Sequence, residues 1–362
     1  MKRYVILAAS LSVLGFASAA QAQVFPSPTG DNSAQITQTG NQNRADIDQA
    51  IGGLSLNGQN RAQISQIGNR NTATVNQTSS NSVSPNAVPF LNTALIEQNS
   101  ARGIASIDQI HDYAVTRFNE ARILQNSNDA EASIDQRGDR NTARIFQRGL
   151  SVAPNASIEQ NGRSNIAIVE QRAGASGTVE VSQGDFGGGN ILSPQTFTSR
   201  VDVDHNGANA DIFVTQIGFT HTADVFEDGT NGIIDVRMDG ALNTANVIQE
   251  SSNGLVAIRS TSASFSNVAR VNQDVSDNGS SAFVLQSGSL SVSDIEQLGG
   301  TGVSTANFAD VIQSGDGLTP GSIESLIVQN GSLNEATVNQ SARVAESTVL
   351  QTGIGHLASV TQ

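Results

Sequence analysis

The stretch Asn41–Gln49, NQNRADIDQ, contains the pattern that decides the fold of this chain. Asn43, Ala45, Ile47 and Gln49 share one parity, and the charged residues between them share the other. Successive side chains of a β-strand point to opposite faces, so the two carboxamides lie on the same face as the alanine and the isoleucine. The stretch therefore predicts a strand with amides on its apolar face and charges on the opposite face.

This pattern recurs as the unit N-x-A-x-I-x-Q-x-G, in 26 copies between residues 32 and 362. Its last Gln position, the glutamine slot, holds Gln in 22 copies; the exceptions are His205, Glu227, Met238 and Ser260. Two residues earlier, the aliphatic slot holds Ile or Val in all 26 copies. Six residues before the glutamine slot, the asparagine slot holds Asn in 12 copies. Such self-similarity is typical of a repeat architecture.

The spacing of the copies predicts how the repeat coils. The commonest separation is 11 residues, and the long insertions fall between consecutive pairs of copies. This favours a coil of about 22 residues with two strands and two corners, one of which tolerates insertion. We therefore predict an all-β, two-sheet β-solenoid of about 13 stacked strand–turn–strand coils over residues 32–362. The two longest insertions, residues 78–92 and 184–200, are predicted to be surface loops.

The solenoid explains why amides face inward. Each strand lies in register beside its copy in the next coil, so an inward Gln or Asn stacks on an identical residue and donates its amide N–H to that neighbour's carbonyl. The ladder satisfies groups whose unpaired burial costs several kcal/mol, whereas stacked carboxylates repel and therefore face solvent. The predicted ladder residues are Gln38, Asn43, Gln49, Asn60, Gln66, Asn71, Gln77, Gln98, Gln109, Gln125, Gln136, Asn141, Gln147, Gln160 and Gln171.

The first residues predict export. A basic start, an apolar run and Ala20-Gln21-Ala22 identify residues 1–22 as a secretory signal peptide, followed by a short segment at residues 23–31. No other apolar run is long enough to span a membrane, so no membrane insertion is expected. The net charge of −14 argues against nucleic acid as a partner.

The motif Q-x-G-x-x-N-x-A-x-x-x-Q carries a family resemblance. It occurs at residues 38–49, 66–77 and 136–147 and resembles the curlin repeat of curli fibre subunits. The resemblance implies a secreted bacterial subunit of an extracellular fimbrium, an amyloid that polymerises with itself and supports adhesion and biofilm. It also implies other curli-like subunits and an outer-membrane secretion channel as partners.

The first and last copies are predicted to be the stacking ends. They contain Ala34, Ile36 and Gln38 at one end, and Ala358, Val360 and Gln362 at the other. The last copy finishes on the final residue, so we expect an open edge there. Two open ends of matching pattern pair head to tail and generate a filament.

Two other interpretations remain open: a minor or nucleator subunit, and a β-solenoid surface adhesin that does not polymerise. We predict no catalytic residue, no cofactor and no metal site. The four histidines occupy slots of the repeat and are interpreted as variants of it. The outward pairs Asp46/Asp48 and Asp202/Asp204 favour a solvated face over a weak calcium site.

Overall fold

The computed structural model describes residues 9–14, 20–21, 32–51, 58–79, 90–111, 118–149, 153–172, 176–184, 199–209, 211–261, 266–274, 279–299, 306–314, 323–342 and 344–362. All regular secondary structure in these ranges is β-strand. The chain divides into two compact units, Met1–Ala173 (unit 1) and Gly174–Gln362 (unit 2). The segment 23–31 and most of the two predicted loops lie outside the described residues.

Unit 1 contains strands β1 (Ala9–Leu14), β2 (Ala20–Gln21), β3 (Ser33–Thr39), β4 (Arg44–Ile51), β5 (Gly58–Ile67), β6 (Thr72–Ser79), β7 (Phe90–Gln98), β8 (Ile104–His111), β9 (Glu120–Gln125), β10 (Glu131–Asp139), β11 (Thr142–Gln147), β12 (Pro154–Arg163) and β13 (Ile166–Gln171).

Unit 2 contains strands β14 (Gly177–Gly184), β15 (Arg200–His205), β16 (Asp211–Phe219), β17 (Thr222–Glu227), β18 (Ile233–Ala241), β19 (Thr244–Gln249), β20 (Leu255–Ser260), β21 (Val268–Gln273), β22 (Ser281–Gln286), β23 (Ser291–Gly299), β24 (Phe308–Gln313), β25 (Ile323–Ser332), β26 (Glu335–Gln340), β27 (Ala345–Ile354) and β28 (Leu357–Thr361).

Unit 1 is a two-sheet solenoid in which alternate strands belong to alternate sheets. Its odd-numbered strands from β3 to β13 form one parallel sheet, and its even-numbered strands from β4 to β12 form the other. The register is that of the repeat: between β4 and β6, Ile47 pairs with Val75 and Gln49 pairs with Gln77. Each slot therefore lies beside the same slot of the next coil.

The first two strands of unit 1 pair differently. β1 runs antiparallel to β4, and β2 runs antiparallel to β3. Both strands fall within the stretch predicted to be a signal peptide, a segment for which the repeat predicts no pairing. The remaining residues of 1–22 lie outside the described ranges.

Unit 2 repeats the same arrangement. Its even-numbered strands from β14 to β28 form one parallel sheet, and its odd-numbered strands from β15 to β27 form the other. Unit 1 contains eleven strands in this parallel arrangement and unit 2 contains fifteen, one for each of the 26 copies of the repeat. The all-β solenoid prediction is confirmed.

The interior of both units is filled by the small and β-branched residues of the repeat. The aliphatic slot is buried in 25 of its 26 copies, and the exception is the half-buried Val360 in β28. Each buried Ile or Val contributes about 1.5–3 kcal/mol relative to its exposed state. The layer between the two sheets is thin, which explains why the small residue Ala so often stands two residues before the aliphatic slot.

The corners require a left-handed residue at a fixed place. Among the described residues, fifteen non-glycine residues have φ between 51° and 61°, and all of them stand immediately before the asparagine slot. Glycine serves a second corner position: Gly68 has φ 121°, and a Cβ there would lie 2.0 Å from the backbone oxygen of Ser100 in the next coil. The corner is therefore closed by backbone contact, which only glycine permits at that position.

Candidate functional site: the amide ladders and the terminal strands

In unit 1 the glutamines form two unbroken ladders. Each side-chain Nε2 donates to Oε1 of the glutamine in the next coil, at 2.6–3.0 Å in the odd-numbered sheet and 2.7–2.9 Å in the even-numbered sheet. The glutamines from Gln49 to Gln171 are at most 1% exposed, and Gln38 is 5% exposed. These buried amides are therefore satisfied by their own copies. The ladders contain Gln38, Gln49, Gln66, Gln77, Gln98, Gln109, Gln125, Gln136, Gln147, Gln160 and Gln171.

In the ladder glutamines from Gln49 to Gln171, the second amide proton links the two sheets. Gln66 Nε2 in β5 donates to the backbone oxygen of Arg44 in β4 at 3.0 Å, and Gln77 Nε2 in β6 donates to that of Arg61 in β5 at 3.1 Å. No residue type in the sequence signals this bond, since its acceptor is backbone. The glutamine amide therefore joins neighbouring coils and facing sheets at once.

The asparagines stack in register but bond mainly through the backbone. Asn43 Oδ1 accepts the backbone N–H of Asn71 at 3.0 Å, while Asn43 Nδ2 donates to the backbone oxygens of Thr39 and Gly68. Asn71 and Asn141 make the same set of bonds in their own coils. Asparagine therefore fixes the corner, whereas glutamine makes the side-chain ladder.

Asn60 is the exception among the predicted asparagines. Its Oδ1 accepts from Asn92 Nδ2 at 3.1 Å and from Ser79 Oγ at 2.8 Å, and its Nδ2 donates to the backbone oxygen of Ala50. Asn60 and Asn92 thus form one side-chain ladder step, but its donor lies in the later coil, whereas in the glutamine ladders the donor lies in the earlier coil. All three side chains in the cluster are buried.

The ladders of unit 2 are complete only in their later coils. Side-chain bonds of 2.9 Å join Gln273, Gln297, Gln329 and Gln351, and bonds of 3.1–3.2 Å join Gln286, Gln313, Gln340 and Gln362. Earlier in the unit, Gln183 Nε2 donates to Gln216 Oε1 at 3.0 Å, but four of the glutamine slots hold His205, Glu227, Met238 and Ser260, all of them buried. These are the four exceptions found in the repeat.

Two orphaned oxygens mark where the ladders resume. Gln249 Oε1 and Gln286 Oε1 are buried and accept no hydrogen bond from the described residues. In register, the copy preceding Gln249 is Glu227 and the copy preceding Gln286 is Ser260, neither of which offers an amide N–H. Glu227 and Ser260 therefore each leave the next glutamine of the ladder with a buried oxygen that accepts no hydrogen bond, which is unfavourable.

The terminal coils are pairs of strands rather than single strands. The predicted residues Ala34, Ile36 and Gln38 lie in β3, whose coil is completed by β4; Ala358 and Val360 lie in β28, and Gln362 directly follows it. Gln38 Oε1 has no hydrogen-bond partner among the described residues, since its ladder begins there. At one end of the repeat the outer edges belong to β27 and β28. At the other end β2 and β1 pair with the edges of β3 and β4, so those two edges become open only when residues 1–22 are removed.

The last coil of unit 2 carries an exposed apolar rim. Val344, Leu350, Ile354 and Leu357 are 71–75% exposed. In the described part of the chain, β27 pairs only with β25 and β28 only with β26. The outer backbone edges of β27 and β28 are therefore available for pairing within this structure.

The outer faces carry charges, many of them paired between coils. Arg122 contacts Glu97 at 3.0 Å, and Arg144 contacts Glu120 at 2.8 Å. These side chains are well exposed, so each pair contributes little to stability. Asp202 is paired with Arg200 rather than grouped with other ligands. Among the residues described, no three His, Asp or Glu side chains are placed to hold a metal ion.

In the ranges that the structure covers, no helix is long and apolar enough to cross a membrane. Comparison with known proteins adds no relative to this picture: no family model matches the sequence, and no curated protein matches it.

Proposed function

We propose that this chain is a secreted structural subunit of a curli-like extracellular fibre. Copies stack end to end through their terminal coils, and the fibres mediate cell adhesion and form biofilm matrix. The observation that supports this proposal is the in-register glutamine ladder, because the terminal coils offer an added copy the same partners that neighbouring coils offer each other within the complete ladders. A second copy whose first coil repeats that pattern is accepted by the same bonds.

The edges of the terminal coils fit that stacking. In the order of the repeat, the edge of β27 precedes an odd-numbered strand such as β3, and the edge of β28 precedes an even-numbered strand such as β4. Gln351 and Gln362 then continue to Gln38 and Gln49 of the second copy. The contact joins different surfaces on the two copies, so the assembly is open and extends as a filament.

Export follows from the N-terminal sequence. The predicted signal peptide at residues 1–22 directs the chain out of the cytoplasm, and an outer-membrane channel completes its passage to the cell surface. The partners of the chain are other copies of itself and related fibre subunits. Because each added copy is held by backbone and amide bonds, the fibre requires no cofactor.

The proposal is tested by incubating the purified chain without residues 1–22 and following fibril formation by electron microscopy and fibre diffraction. Fibrils with a meridional reflection near 4.8 Å are expected. A chain that stays monomeric on prolonged incubation would contradict the proposal, and binding of that monomer to surfaces would favour the adhesin.

A matched pair of variants tests the end contact itself. Val360 lies on the inward side of β28, and Thr361 is the exposed residue beside it. Val360→Lys places a charge between the stacked sheets and should suppress fibril growth, whereas Thr361→Lys should leave it unchanged. Equal growth of both variants would place the contact elsewhere. A chain that speeds another subunit's assembly at low molar ratio would instead be a nucleator.

A further inference from the structure

A buried acid interrupts the ladder of unit 2. Glu227, at the end of β17, occupies a glutamine slot and is 0% exposed. Neither of its side-chain oxygens has a hydrogen-bond partner of normal geometry among the described residues. A carboxylate buried in this way is unfavourable, because the charge loses its hydration and the nearby backbone of Gly229 and Gly207 replaces only part of it.

The neighbour on one side supplies no proton to it. His205, the preceding copy in register, is also 0% exposed, and its Nε2 lies 3.6 Å from Glu227 Oε2. That Nε2 lies 2.8 Å from the backbone oxygen of Gly207. A carbonyl oxygen only accepts, so Nε2 carries the hydrogen and donates it to Gly207. Burial lowers the pKa of His205, so the ring is neutral and its Nδ1 bears no proton.

The neighbour on the other side lacks a donor. Gln249, the following copy in register, has a buried Oε1 without a hydrogen-bond partner among the described residues. In a complete ladder that oxygen accepts an N–H from the preceding glutamine. Glu227 stands at the position of the missing donor.

We infer that Glu227 is protonated in the folded chain, where it replaces a ladder glutamine, and that its ionisation is a pH-sensitive switch in unit 2. A neutral carboxyl group offers one O–H donor and one C=O acceptor, as an amide offers its ladder neighbours. The O–H donates to Gln249 Oε1 and restores the step. Ionisation removes the donor and leaves a buried charge. Glu227 lies inside the folded chain, so its ionisation does not depend on fibre formation.

The surroundings of Glu227 support the neutral form. Burial raises the pKa of Glu227 to about 8, and the nearby backbone of Gly229 and Gly207 offsets only part of the rise. The titratable groups beside it are His205 and Asp228, and the negative charge of Asp228 raises the pKa further. A Cβ on Gly207 would lie within 2.7 Å of both carboxyl oxygens, so these glycines close the corner around the group.

The pH dependence follows from this proton. An unfolded Glu227 releases it near 4.5, whereas the folded chain keeps it up to about pH 8. The folded state therefore binds more protons across that window, so the contribution of Glu227 to stability is complete below about pH 4.5 and is lost as the pH rises through 8. His205, with its lowered pKa, acts in the opposite sense: its contribution is present above 6.5 and falls as the pH drops.

Carbon-13 NMR of the full chain, labelled at the glutamate carboxyl carbons, tests the inference directly. At pH 6 one resonance should have the shift of a protonated carboxyl group, titrate with a midpoint of about 8 and be absent from Glu227→Gln. Ionised shifts for all glutamate carboxyl carbons at pH 6 would overturn it.

Urea unfolding of the same chains supplies a second readout. Between pH 4.5 and 8, the unfolding constant of the wild-type chain relative to Glu227→Gln should rise about tenfold per pH unit. The outward, exposed Glu346→Gln is the matched control and should show no such trend relative to the wild type. Repeating the comparison in a His205→Gln background removes the histidine's contribution. Parallel pH profiles of the wild type and Glu227→Gln would overturn the inference.

Discussion

Replacing one ladder glutamine in the middle of unit 1 separates the amide ladder from simple apolar packing. Gln109 in β8 donates to Gln136 Oε1 at 2.7 Å, accepts from Gln77 Nε2 at 2.8 Å and donates to the backbone oxygen of Thr93 at 3.2 Å. Gln109→Leu removes all three bonds while keeping a buried side chain of similar size. Gln77 Nε2 then loses its acceptor, and Gln136 Oε1 loses its donor.

The magnitude follows from the two orphaned ladder groups. Each unsatisfied buried group costs about 1–3 kcal/mol. The buried leucine returns part of that, since burying an aliphatic side chain contributes about 1.5–3 kcal/mol. We therefore expect Gln109→Leu to lower the free energy of unfolding by about 1–3 kcal/mol.

Urea unfolding followed by circular dichroism measures this loss. Ser106→Leu is the matched control, because Ser106 lies on the exposed face of the same strand and its replacement should change stability by less than about 0.5 kcal/mol. A Gln109→Leu chain as stable as the wild type would refute the ladder as a source of stability, and apolar burial alone would then explain the interior.

Three further substitutions test individual parts of the coil. Met238→Gln combined with Ser260→Gln should raise the unfolding free energy by about 1 kcal/mol, because the pair restores a donor to the orphaned glutamine that follows; an unchanged urea midpoint would contradict this. Thr220→Asn should stabilise the chain by up to about 1 kcal/mol in thermal unfolding, since Thr220 has φ 56° and Asn tolerates that region better; a lower melting temperature would argue against strain there. Gly68→Ala should destabilise by more than about 2 kcal/mol in urea because its Cβ meets backbone, whereas Gly184→Ala, with open space around it, should not; equal effects would refute the corner contact.

The strands and their register were predictable because two positions of the repeat, the aliphatic slot and the glutamine slot, both identify the inner face of each strand. A β-branched residue such as Ile64 and a glutamine such as Gln66 recur at fixed spacing, and alternation assigns both to the inner face. Parallel stacking then follows, since only in-register copies satisfy the amides. Insertions between pairs of copies identified the two-strand coil.

Other features have no signature in residue type. The left-handed corner position is filled by Arg70, Thr220 and Leu242 as well as by Asn, so composition does not reveal it. The sheet-to-sheet bond of glutamine ends on backbone and depends on how closely the facing strand approaches. The antiparallel pairing of β1 and β2 follows no repeat at all.

The exceptional glutamine slots were visible in the sequence, but their consequences were not. In the sequence alone, Glu227 is interpreted as a variant of the repeat. Full burial, a neutral histidine neighbour and an acceptor left without a donor become evident only from the coordinates. The proposed switch at Glu227 therefore could not be predicted from the sequence.

Every glutamine–glutamine ladder bond in the described residues runs from one glutamine to the next along the chain, so the amide dipoles within each glutamine ladder are aligned. Such a column has a positive end and a negative end, as a helix does, and identical ends repel. Gln38 stands at the start of its ladder. Its Nε2 donates to Gln66, so only its Oε1 is left to accept a hydrogen bond from an added copy. A filament built from such copies would consequently be polar. Its two ends would differ chemically and would elongate at different rates.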